Sequence, residues 1–120
     1  MTSSISLHGR VPVKATAKRA LKRLVDTLQP DGNDKVAIED GVLIIDVGNC
    51  DAPNGFHEVA CQAVSDFCAQ HATAGAIFDF DGSALVVGPT EQARKDAHAA
   101  YLVARIRALT DELERVLTAH

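Results

Sequence analysis

Four side chains in the stretch "HEVACQAVSDFCAQH" have the chemistry of metal ligands or redox centres: His57, Cys61, Cys68 and His71. On a helix advancing about 100° per residue they fall on one stripe shared with Val64. Thiolate and imidazole are the ligands zinc prefers, and paired thiols form disulfides. Axial distance argues against both. His57 and His71 lie about 21 Å apart along a straight helix, and Cys61 and Cys68 about 10.5 Å. Zinc gathers its ligands at about 2.0–2.3 Å, and a disulfide needs Cα atoms within about 7 Å. Two half-sites remain, His57/Cys61 and Cys68/His71. Each needs two further ligands from elsewhere or from a dimer mate, and no other Cys-His pair is available, since Cys50 sits alone. The preferred reading is structural, because a free cysteine suits the flank of a buried helix. No metal or cofactor is expected.

Carboxylates come next. "AIFDFDGS" looks like the first motif of haloacid-dehalogenase-type phosphatases, in which Asp79 would be the nucleophile and Asp81 the general acid. That family needs a long α/β core after the motif, whereas 37 residues follow Ser83 here and most read as one helix. Asp-Gly between two apolar runs is also the strongest short hairpin signal, so a plain turn is expected. An EF-hand loop fails on spacing, with Gly82 at the fourth position from Asp79 rather than the sixth. Walker A, GxGxxG, GxSxG and CxxC patterns are absent. No catalytic residue is assigned, and the chain is expected not to be an enzyme.

The elements around these residues follow from periodicity. "ISLHGRVPV" reads as a short strand or extended arm over residues 1–13, and Pro12 assigns it to a sheet edge. From Lys14 to Leu28 the residues Ala17, Ala20, Leu21, Leu24, Val25 and Leu28 line one helical face. "KVAIEDGVLIIDVG" reads as a hairpin turned at Asp40-Gly41, followed by a loop at "NCDAPNG". A second helix over 54–71 buries Phe56, Val59, Ala60, Ala63, Val64 and Phe67. A second hairpin turns at Asp81-Gly82, and Thr90 caps a helix reaching about Leu117. The expected fold is α+β, a single domain of order (β)-α-β-β-α-β-β-α, with helices packed on a mainly antiparallel sheet and a long C-terminal helix over 90–118.

That last helix has two apolar stripes about 180° apart. Ala93, Ala97, Ala100, Ala104 and Ala108 suit close packing on a sheet. Leu102, Ile106, Leu109, Leu113 and Val116 recur at 4, 3, 4, 3, a heptad seam two repeats long. One reading is a dimer or partner face. The other is a helix sandwiched between the sheet and the first helix. The dimer or partner face is preferred.

Composition sets the class. A 120-residue chain with 47% apolar and 23% charged residues is a soluble globular domain. The longest apolar run, Ala99–Ala104, is too short to span a membrane, and no secretory leader is visible. Three cysteines without secretory context point to a reducing cytoplasm. Net charge is −4 but uneven. Residues 1–25 hold six basic groups and no acid, and the remainder six basic and sixteen acidic groups. Lys14, Lys18, Arg19, Lys22 and Arg23 form a basic helix face, either a solvated surface or a dock for an anionic partner such as nucleic acid.

The order helix, hairpin, helix, hairpin, helix over residues 14–118 resembles the small secretion chaperones of type III systems. The second helix, "AIFDFDGSALVV" and a last helix ending "LTDELERVL" carry the resemblance. It implies an acidic, cytoplasmic, bacterial, homodimeric and non-enzymatic protein that binds an extended segment of an effector. The chain departs from the family in three ways. It has two strands rather than three between the first two helices, an extra N-terminal segment, and its seam on the third helix rather than the second. The expected function is protein binding of chaperone, inhibitor or adaptor type, through apolar helix and sheet-edge surfaces, with the partner unidentified. A nucleic-acid-associated regulator is the alternative.

Overall fold

The computed structural model describes residues 2–30, 32–53 and 56–119. The elements follow in the order β1 (Thr2–Pro12), one 3-10 turn (Ala15–Ala17), α1 (Lys18–Leu28), β2 (Lys35–Glu39), β3 (Val42–Pro53), α2 (Phe56–His71), β4 (Ala76–Phe80), β5 (Ser83–Val87) and α3 (Glu91–Thr118). The strands make one antiparallel sheet in the order β2-β3-β1-β4-β5. The α+β class, the element order and the long last helix are those the sequence predicts.

Alternation along the strands sorts the side chains to two faces. Leu7, Val11, Leu43, Ile45, Val47, Phe78, Phe80 and Val87 point to one face and are almost fully buried. α1 and α2 cover that face with Leu24 and Leu28 from one and Ala60, Val64, Phe67 and Cys68 from the other. Gly9 sits opposite Ile45 in β1, and a β-carbon there would come within 2.6 Å of the Phe78 ring. Glycine is what lets that phenyl ring lie flat over the central strand.

Both hairpins turn as their Asp-Gly pairs require. Asp40 and Gly41 have φ of 53° and 75°, and Asp81 and Gly82 have 52° and 85°. Positive φ at two successive residues is the tight hairpin geometry that Asp-Gly favours.

Two expectations are corrected here. β1 is not an edge strand or arm; it is the central strand, paired with β3 over most of its length and with β4 at Leu7 and His8. Pro12 is tolerated because it is the last residue of β1, past the short pairing with β4. There the Pro12 carbonyl accepts from Thr73 N–H at 2.9 Å, and Val13 bridges Ala72, so the end of α2 takes over where β4 stops. The stretch "NCDAPNG" is not all loop either. β3 continues to Pro53 by pairing with Thr2–Ile5, after a register shift between Ile5 and Leu7. A bulge bends the strand and restarts the ladder.

α3 lies on the other face. It begins beside Gly75 and Gly88, where a β-carbon on Gly75 would overlap the Ala93 carbonyl and come within 2.9 Å of the Ala97 β-carbon. Ten residues on, Tyr101 shares a shallow cleft with Ile77, Asp79 and Ala84, residues of the parity opposite to Phe80. Thr90 caps the helix as expected, its hydroxyl accepting from Ala93 N–H at 3.0 Å. Past Tyr101 every described residue of α3 is exposed, so residues 102–118 overhang the sheet by about 25 Å.

Candidate functional site

Among the reactive-looking side chains, packing accounts for most. Cys68 is fully buried, and burial pushes its thiol up to about 12 from an ordinary 9.0. A thiol held protonated is a poor nucleophile and a poor metal ligand. Cys61 is half-buried and free. His71 stacks at a tilt on Phe67, ring centroids 4.9 Å apart. The side chains of His57 and Cys50 lie outside the described residues. Among the described residues, no cluster of three His, Cys, Asp or Glu side chains forms a metal-holding group.

The two carboxylates of "DFDGS" are engaged in the turn. Asp79 Oδ1 accepts from Gly82 N–H at 2.9 Å. Asp81 Oδ1 accepts from Ser6 N–H at 2.7 Å, while Asp81 N–H donates to the Ser6 carbonyl at 2.9 Å. Ser6 stands at the register shift of β1, where its backbone groups have left the ladder with β3. Asp81 satisfies both, which ties the β4–β5 turn to the central strand.

α2 buries less of its predicted face than its periodicity suggests. Ala60, Val64 and Phe67 are buried and Ala63 partly so. Val59 is 53% exposed, a correction to its expected burial. Phe56 lies outside the residues with described side chains. Between α1 and α2 runs a groove of about 310 Å³, floored by Leu24 and Phe67 and rimmed by Arg23, Asp66, Gln70 and His71. Sequence reading missed it, because its two walls lie about 40 positions apart and neither shows a local signal.

The basic residues of the first helix are displayed as expected. Lys14, Lys18, Arg19, Lys22 and Arg23 are all exposed, and none is ion-paired to another described residue. Lys14 Nζ reaches the Gln70 carbonyl, at 3.4 Å.

The largest apolar exposure is on α3. Leu102 is 43% exposed, Ile106 63%, Leu109 59%, Leu113 57% and Val116 66%, with Val103 and Leu117 beside them. The sandwich reading of this seam is overturned: α1 packs on the opposite face of the sheet and cannot reach it. The alanine stripe divides at Tyr101. Ala93 and Ala97 pack on the sheet as predicted, whereas Ala100, Ala104 and Ala108 are exposed. No described helix is long and apolar enough to cross a membrane. Set against family models, curated proteins and solved structures, the chain matches none, so a functional reading rests on these surfaces.

Proposed function

We propose that this chain is a non-enzymatic protein-binding module of chaperone, inhibitor or adaptor type, working as a homodimer in the cytoplasm. It uses apolar helix and sheet-edge surfaces; the type III secretion chaperones it resembles bind an extended effector segment on their outer surface. The exposed seam of α3 carries the reading. Five large aliphatic side chains at heptad spacing, each 43–66% open to solvent, form a contiguous stripe of the kind that marks a protein contact. Light scattering at high micromolar concentration is expected to give the mass of two chains. A mass of one chain removes the homodimer. Turnover of a phosphate ester that is lost in Asp79→Asn overturns the non-enzymatic part.

The second reading, a nucleic-acid-associated regulator, is favoured by one observation: the five exposed cations around α1, none ion-paired to another described residue. It predicts duplex binding that weakens steeply as salt rises, through counterion release. Protein binding through an apolar seam predicts little salt dependence.

A further inference from the structure

Resting on the reading of α3 as a self-association face, we propose how two copies pair. The overhangs run antiparallel about a two-fold axis between Arg107 and Ala108, and Arg105 of each copy faces Glu112 of the other.

The seam sets the register. Ala99, exposed and three residues before Leu102, extends the heptad pattern by one position. In an antiparallel pair an a-position residue faces a d-position residue. Centred on 107/108, Ala99 meets Val116, Leu102 meets Leu113 and Ile106 meets Leu109, each twice by symmetry. No seam residue is left over. A shift of one heptad either way leaves at least two of these large side chains without a partner.

Charge chooses the direction. Arg105 and Glu112 occupy equivalent flanking positions one heptad apart, on the same side of the seam. Antiparallel helices bring such positions together across the interface, giving two Arg105–Glu112 pairs. A parallel pair would instead set Arg105 near Thr110 and Glu112 near Leu117, with no ion pair. The wider pattern agrees. Arg105 and Arg107 precede the proposed axis, and Asp111, Glu112, Glu114 and Arg115 follow it, so the first half is net basic and the second net acidic. Antiparallel overlay sets the basic half on the acidic half, whereas parallel overlay sets like on like.

Sterics and size permit it. The sheet grips α3 through Ala93, Ala97 and Tyr101, on the side turned away from the seam, so a second helix can run past as far as Ala99. The open seam offers on the order of 600 Å² per chain, about 1,200 Å² for two, at the lower end of stable interfaces. Area alone does not set affinity, so the dissociation constant is the quantity to measure.

Sedimentation equilibrium of the full chain tests the arrangement. Arg105→Glu alone and Glu112→Arg alone each set like charges together twice and are expected to weaken association about tenfold. The double variant R105E/E112R restores the pairs and is expected to return within about threefold of the unmodified protein. An equimolar mixture of the two single variants is expected to do the same, because each then finds its complement. Unchanged single variants, or a double variant and a mixture no stronger than the singles, overturn the antiparallel register and leave the dimer standing. An unmodified protein that stays monomeric at high micromolar concentration overturns the dimer and the register together. Circular dichroism of each variant confirms that α3 is retained, since all the changes are on exposed positions.

Discussion

α2 and α3 both carry an apolar stripe at helical spacing, and the fold treats them oppositely. Ala60, Val64, Phe67 and Cys68 of α2 are buried against the sheet, while α3 has no buried residue at all. The apolar side chains of α3 are no smaller. The difference lies in geometry. α2 spans 16 residues and lies over the sheet, whereas α3 spans 28 and is gripped only through its first turns. An apolar stripe states that something covers it; chain length and topology decide whether the cover is in the same molecule.

The sharpest way to break this contrast is to truncate one side of each. Phe78→Ala removes a fully buried ring beneath the helices and is expected to cost about 3–5 kcal/mol in urea unfolding, independent of protein concentration. Leu113→Ala should change unfolding at high dilution by less than about 0.5 kcal/mol, because its side chain is open there. Comparable losses at both sites would erase the distinction. Next in size, Leu109→Asp sets a charge in the seam and is expected to weaken self-association by more than about a hundredfold without unfolding the monomer. Sedimentation and circular dichroism together read both halves of that statement.

A smaller effect comes from Cys68. Burial raises its thiol from 9.0 to about 12. The unfolded chain releases that proton near pH 9, and the folded chain keeps it up to about 12. Stability is therefore level below pH 9 and falls as pH rises from 9 toward 12. At pH 10 the loss amounts to about 1 kcal/mol. Urea midpoints at pH 8 and pH 10 should differ more for the native protein than for Cys68→Ala; equal differences would show that the thiol ionises freely. Smallest is the cap of α3. Thr90→Ala removes the hydroxyl that accepts from Ala93 N–H and is expected to cost about 0.5–1 kcal/mol. Faster amide exchange in the first turn of α3, with the α2 amides unchanged, is the expected readout.

Much of this fold is legible in local chemistry. Asp-Gly at 40–41 and 81–82 announces two hairpins because few other pairs accept positive φ twice in succession. Leu24 and Leu28 are where helical periodicity puts them. The misreadings share a cause: each depended on a partner distant in sequence. Pro12 argues for an edge only if a second strand runs beside it, and β4 has ended by then. "NCDAPNG" has turn-like composition, but pairing with Thr2–Ile5 holds it extended through Pro53. Val59 keeps helical phase with Ala60 and Ala63, yet it is exposed. At the candidate site the seam is visible in sequence. Its lack of an intramolecular cover is not, because that follows from which face of the sheet α3 takes.

The central position of β1 bears on how the polypeptide acquires this topology. Residues 2–12 are synthesised before both strands that flank them, β3 at 42–53 and β4 at 76–80. The two hairpins can each zip locally, but the five-stranded sheet is complete only when both have left the ribosome and paired with the strand between them. Closure over separations of about 40 and 70 residues makes that step slow relative to hairpin formation. β1 presents two unpaired edges until β3 emerges, and one until β4 does. Ser3, Ser4, His8 and Arg10, spaced along its length, give this interval polar side chains that oppose premature strand-to-strand aggregation.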